Sequence, residues 1–192
     1  AGNLDLFTTK VKVASMDDLK GLKLRASSVT LSKAIEALGG TAVSIQPSEQ
    51  TTALQQGVLD GVITGALFGS TTGLGEVCPF LMQGTIGMSC MFCGMNKATW
   101  EKLPADLQTL ITDTFTAKVN EFYMPKLQEE YEKSIEVLKG QGVDVYPTDE
   151  ALLAAMKEAT ASFKTEYVEG LKAQGLDGDA IIAIIDDAIA NN

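Results

Sequence analysis

Arg25, Ser27 and Ser28 stand together where the hydrophobic pattern of the chain changes period. Leu22 and Leu24 alternate with Lys23 and Arg25, which is the period of a strand. Leu31, Ala34, Ile35 and Leu38 then recur as one face of a helix. Arg25 therefore falls at the carboxyl end of a strand, and the serines fall where a helix N-cap stands. Backbone N–H groups at a helix start, hydroxyls and a guanidinium in one place suit a carboxylate or a phosphate. Without further context the same residues describe an exposed arginine and an ordinary serine cap.

Other chemistry is thinly represented. Cys90 and Cys93 have C-x-x-C spacing, which fits a redox pair or half of a zinc site. A zinc site needs four ligands, and the chain has no histidine. The pair lies in Ile86 to Met95, which reads as a buried strand, so its two members should point to opposite faces. The cysteines, Cys78 included, are expected as core residues. Without histidine, Ser-His-Asp and Cys-His catalysis are excluded. No G-x-G-x-x-G or phosphate-loop motif is present and no cofactor is expected, while two carboxylates could still do acid–base work, although spacing does not show that they converge.

The 192 residues allow one large domain or two small lobes, and 45% hydrophobic content supplies a core. A net charge of −10 argues against nucleic acid and against anionic membrane surfaces. No apolar run reaches transmembrane length. The start, Ala1-Gly2-Asn3-Leu4-Asp5, has neither a basic nor an apolar leader region. The expectation is that a signal was removed or that the chain begins inside a longer protein.

The elements that must position Arg25 follow in order. Lys10 to Val13 reads as a strand, Met16 to Lys20 as a helical turn capped by Ser15, and Leu22 to Arg25 as a strand. A helix over Leu31 to Leu38 stops at Gly39-Gly40. Thr41 to Ile45 is strand, and Pro47-Ser48-Glu49 opens a helix to Gln55 with Ser48 as its cap. Val58 to Ile63 is strand, with Thr64 at its end. This alternation predicts an α/β fold with an open, mostly parallel sheet flanked by helices. Ligands of such sheets bind beyond the carboxyl ends of the strands, where Arg25, Ile45-Gln46-Pro47 and Thr64 fall. Gly65 to Gly75 reads either as a frayed helix or as a loop. Asn96 to Pro104 reads as a turn and short helix with Trp100 and Leu103 facing a core. A long helix over Ala105 to Lys139, kinked or broken at Pro125, would if read straight through span about 50 Å and so cross between two lobes. Val143 to Tyr146 is strand, Thr148 or Asp149 caps a helix to about Gly170, and Asp179 caps the last helix.

Asp18-Leu19-Lys20-Gly21-Leu22-Lys23-Leu24-Arg25, Ala37-Leu38-Gly39-Gly40-Thr41-Ala42-Val43 and Ala53-Leu54-Gln55-Gln56-Gly57-Val58-Leu59-Asp60-Gly61 after Glu49 form an ordered set. Asn96-Lys97, Trp100, Leu103-Pro104 and Leu107-Gln108 extend it. The set resembles the solute-binding proteins of tripartite ATP-independent periplasmic (TRAP) transporters, DctP type. The resemblance implies a periplasmic-binding-protein-like lobe, an extracytoplasmic location, and no enzymatic activity. An organic acid would be held by an arginine–carboxylate salt bridge and delivered to the transporter's membrane subunits. Carried over, the arginine is Arg25, and the further ligand contacts fall at Ser28, Thr64 and near Pro47. Ser27 joins them from the strand-to-helix reading. The chain departs from the pattern at Ile63 and Thr64, where a Glu and an Asn are common, and at Pro47, where an aromatic residue often stands. A second arginine of some members has no counterpart, since Asp5 lies near that place.

The resemblance also divides the chain. Residues 1–85 and 140–192 would form the ligand-binding lobe, and 86–139 a strand and long helix returning to an incomplete first lobe. Strand 86–95 would then lack sheet neighbours, which predicts a homodimer through it. Two further readings stay open: an effector-binding domain of a cytosolic regulator, and a thiol oxidoreductase through Cys90 and Cys93.

Overall fold

The computed structural model describes residues 2–89 and 93–190. The chain runs β1 (Gly2–Thr8), α1 (Met16–Leu19), β2 (Lys23–Arg25), α2 (Val29–Ala37) and β3 (Thr41–Val43). A 3₁₀ turn (Pro47–Glu49) leads into α3 (Gln50–Gln55), followed by β4 (Gly61–Thr64), α4 (Ala66–Thr71), α5 (Leu74–Val77) and β5 (Phe80–Ser89). Then come α6 (Lys97–Glu101), α7 (Ala105–Lys118), a π turn (Val119–Tyr123) and α8 (Met124–Gly140). β6 (Asp144–Pro147), α9 (Glu150–Ala159), α10 (Ser162–Ala173) and α11 (Gly178–Ala190) complete it.

The six strands form one sheet in the order β3-β2-β4-β1-β5-β6. β2 is parallel to β3 and to β4, and β5 is parallel to β6. β1 is antiparallel to both of its neighbours, β4 and β5. Five strands therefore run one way and β1 runs against them. The sheet is mostly parallel and flanked by helices, as the alternating pattern predicts. Alternate residues serve two cores, one on each face. Leu6, Leu24 and Ile63 pack with Ile35, Leu38 and Met156 on one side. Phe7, Val62 and Leu81 pack with Leu54, Leu74 and Leu138 on the other.

Local signals account for many boundaries. The Ser28 hydroxyl accepts from the Leu31 N–H at 3.1 Å and starts α2. Asp149 accepts from the Ala151 N–H at 2.8 Å and starts α9. Pro125 has no N–H to give to a carbonyl four residues back, and the helix takes up the mismatch one turn earlier. There the Met124 N–H reaches back five residues to the Val119 carbonyl, forming the π turn between α7 and α8.

Several expectations are corrected. Lys10 to Val13 is not a strand. That segment is tied down by side chains, with the Val13 N–H donating to the Tyr146 hydroxyl at 2.9 Å and Lys12 paired with Asp144. The first strand is Gly2–Thr8 instead. Gln46, not Ser48, precedes the turn into α3. Gly65 to Gly75 holds two short helices rather than one frayed helix or a loop. The helix from Asp149 breaks at Thr160-Ala161 into α9 and α10. Asp177, not Asp179, accepts from the Ala180 N–H at the start of α11. Trp100 and Leu103 are half-buried.

The strand expected at 86–95 starts earlier, at Phe80, and Cys93 to Met95 lie outside it. Cys90 lies outside the described residues. Gly87, Met88 and Ser89 pair with Leu4, Asn3 and Gly2, so this strand has a neighbour along its far end. The homodimer inferred from an unpaired strand loses its premise there.

Candidate functional site

β2, β3 and β4 lie side by side and parallel, so their carboxyl ends meet at one edge of the sheet. That edge brings Arg25, the Ile45–Pro47 turn and Thr64 together. Arg25 is the only arginine of the chain. It is 6% exposed, and its Nε donates to the Ile45 carbonyl at 3.1 Å. Burial lowers its pKa from the ordinary value, and no carboxylate opposes that shift. Among the described residues, no ion pair involves Arg25. A buried guanidinium anchored through Nε keeps its terminal nitrogens for an anion.

The other expected contacts are placed differently. Ser28 is exposed, and its hydroxyl is already committed to the α2 cap. Ser27 is exposed at the strand-to-helix turn. Thr64 ends β4 and is half-buried. Pro47 is exposed as the first residue of the 3₁₀ turn.

Asp5 is a member of this edge that the sequence reading did not assign. It lies on β1 in register with Thr64 and is 0% exposed. One carboxylate oxygen accepts from the Ala66 N–H at 2.9 Å, at the start of α4. The other accepts from the Gly84 N–H at 2.8 Å and the Tyr131 hydroxyl at 3.3 Å. Gly84 has φ +64° within a bulge of β5 opposite Asp5, a conformation glycine adopts without strain. α4 lies over β1 because Gly69 admits the Phe7 ring, where a Cβ would stand 2.3 Å from Cζ. Burial raises the Asp5 pKa, and the three donors work against that rise. The signal in the sequence was Leu4-Asp5-Leu6, a strand alternation with a carboxylate on its polar side.

Gln50, the first residue of α3, is also 0% exposed. Neither atom of its carboxamide meets a partner among the described residues. An unmet buried amide costs roughly 1–3 kcal/mol. Gln50→Leu is therefore expected to stabilise the protein by about 1–2 kcal/mol and raise its melting temperature by a few degrees. A lower melting temperature would show that a water or ligand holds the amide.

The two described thiols do not form a buried pair. Cys78 is buried, whereas Cys93 is exposed, which corrects its expected core position. Burial pushes the Cys78 pKa up to about 12, so the unreactive thiol form dominates at neutral pH. In a variant with Cys90→Ser and Cys93→Ser, no thiol should react with a disulfide reagent until urea unfolds the protein. Rapid labelling of the native variant would contradict the burial of Cys78.

A hollow of about 440 Å³ lies elsewhere, lined by Thr9, Lys10, Leu54, Gln55, Gln56, Gly57 and Val77. It sits where α3 ends, towards the amino end of β4, and shares no residue with the Arg25 edge. Among the described residues no cluster of metal-ligating side chains occurs. Among them, no helix is long and apolar enough to cross a membrane.

Ligands of open α/β sheets bind beyond the carboxyl ends of the strands, the edge at which Arg25 stands buried with no ion-pair partner among the described residues. Residues 1–170 match the bacterial extracellular solute-binding proteins, family 7 (DctP), and the chain belongs to that family. It is 29% identical over 160 residues to the C4-dicarboxylate-binding periplasmic protein DctP of Rhodobacter capsulatus, covering 82% of this chain and 48% of that protein. A TRAP periplasmic solute-binding protein of Desulfovibrio salexigens, solved with bound orotic acid, superposes with a TM-score of 0.81. The two are 27% identical, and the match covers 99% of this chain and 60% of the other. A Pseudomonas putida F1 relative with bound D-glucuronate gives a TM-score of 0.71 at 26% identity, over 86% and 53% of the two chains. The chain spans about half the length of the curated relatives it matches. These relatives are solute-binding proteins rather than enzymes.

Proposed function

We propose that this chain acts as part of an extracytoplasmic solute-binding subunit of a TRAP transporter. It captures an organic acid through an Arg25–carboxylate salt bridge and delivers it to the membrane subunits. The observation that carries the reading is Arg25 itself, buried at the ligand edge of the sheet with no counter-charge among the described residues. Taking a cation out of water without a partner costs several kcal/mol, and a bound carboxylate offsets that cost. Thr64, Ser27, Ser28 and Pro47 frame the same edge, and the family's bound acids support it.

We assign 1–85 and 140–192 to the ligand-binding lobe, with 86–139 returning to a first lobe. The exposed apolar face of α7 supports this division: Leu107, Ile111 and Phe115, each four residues from the last, are 41%, 40% and 51% exposed. A face of this kind marks a surface that packs against something. The test is calorimetry on the protein as expressed from its gene, with orotate, D-glucuronate, benzoate and succinate. At least one acid should bind, and Arg25→Gln should lose that binding. Equal affinity in the variant would overturn the assigned role.

A further inference from the structure

We propose that this site takes a monocarboxylate and discriminates against dicarboxylates, because its one cation shares a sheet face with the buried carboxylate of Asp5. The inference rests on the reading of Arg25 as the carboxylate anchor. Arg25 pairs with Val62, and Asp5 pairs with Thr64, two residues further along the same strand β4. Paired residues point to the same face, and so do residues two apart. Val62 and Phe7 both join the core beneath α3 and α4. Arg25, Thr64 and Asp5 therefore form a row on that one face, with Thr64 between the charges. Two strand spacings and a two-residue offset put the Arg25 and Asp5 Cα atoms about 12 Å apart.

The charge inventory of the edge is unbalanced in a definite direction. No lysine or arginine occurs among residues 1–9, and none between Lys33 and Lys97. Lys33 itself pairs with Glu166. Lys23 starts β2 at the opposite end and donates to the Gly57 carbonyl. Among the described residues, Arg25 is thus the only cation that the strand ends and following turns bring to this edge. The anions there are Asp5, and Glu49 at the turn before α3. One carboxylate of a ligand meets Arg25. A second, reaching along the row, would approach Asp5 with no cation of this lobe to receive it. Asp5 is held by two backbone N–H groups and a tyrosine hydroxyl, so it cannot turn away. A second ligand carboxylate about 12 Å or less from Asp5, at the effective dielectric of a protein surface, is disfavoured about tenfold or more.

Matched acids that differ by one carboxylate test this on the protein as expressed from its gene. Calorimetry would compare benzoate with phthalate, butyrate with succinate, and D-glucuronate with D-glucarate. In whichever pair binds, the monocarboxylate should be at least about tenfold tighter. Asp5→Asn should narrow that ratio about fivefold to tenfold. A dicarboxylate that binds wild type as tightly as its partner, or a ratio that Asp5→Asn leaves unmoved, would overturn the proposal. Should Asp5→Asn fail to fold, the wild-type ratios decide alone. The underlying reading fails differently: neither member of any pair binds, or Arg25→Gln binds both members as wild type does.

Discussion

Arg25→Ala is expected to weaken binding of the cognate acid by at least about 30-fold, while leaving the unliganded protein no less stable. Removing one member of a desolvated, hydrogen-bonded charge pair costs about 2–5 kcal/mol. The lower end of that range is already more than tenfold, and its middle exceeds a hundredfold. The stability half of the expectation comes from the same burial. Arg25 is 6% exposed, makes one hydrogen bond to a backbone carbonyl, and has no opposing carboxylate among the described residues. Its charge is therefore costly to the empty site, and truncation relieves that cost. A residue that merely braced the sheet would lose affinity and melting temperature together. Arg25→Lys separates charge from geometry: it keeps the cation but loses the planar fork and the bond to Ile45, and should retain part of the affinity. Calorimetry alongside thermal melts of the ligand-free proteins reads both halves. A large drop in ligand-free stability with affinity unchanged would remove Arg25 from the site.

Asp5→Ala has the second largest expected effect, a loss of about 2–4 kcal/mol of stability. The Ala66 N–H is buried and has the Asp5 carboxylate as its acceptor, and the Gly84 N–H depends on the other oxygen. Each orphaned donor costs roughly 1–3 kcal/mol, with water recovering part of it at the exposed Gly84. Asp5→Asn should cost less, since its single oxygen still serves one of the two N–H groups. The pH dependence has a definite sign. Burial raises the Asp5 pKa, so between its unfolded and folded values the native state binds more protons than the unfolded state. Its contribution is fully present below the unfolded pKa and declines as pH rises through the folded one. The stability gap between wild type and Asp5→Asn should therefore shrink as pH rises from about 4 toward neutrality. Urea unfolding of both proteins across that range measures it, and a gap that widens with pH would contradict the raised pKa.

The parts of the fold readable in the chain were those set by local chemistry. Ser28 before Leu31, Asp149 before Leu152, the glycines after α2 and α3, and Pro125 in the long helix all act within a few residues. The structure placed those features close to where the sequence did. Strand Lys23–Arg25 was legible for the same reason, since alternation is a local signal. Lys10 to Val13 misled because alternation of apolar and polar residues says nothing about whether a neighbouring strand is present to pair with it. Gly2–Thr8 went unseen because its pairing runs through β4 and β5, more than fifty residues away.

The sequence by itself determined that a single arginine ends a strand before a serine-capped helix, inside the ordered motifs of a solute-binding family. It also determined an acidic chain without histidine. Only the tertiary structure decided that Arg25 is buried rather than solvated, and that Asp5 lies on the same face two strands away. Burial and facing depend on which strands lie side by side. The β2-β4-β1 order joins segments that are remote in the chain, and that order is fixed by how two hydrophobic faces are covered at once.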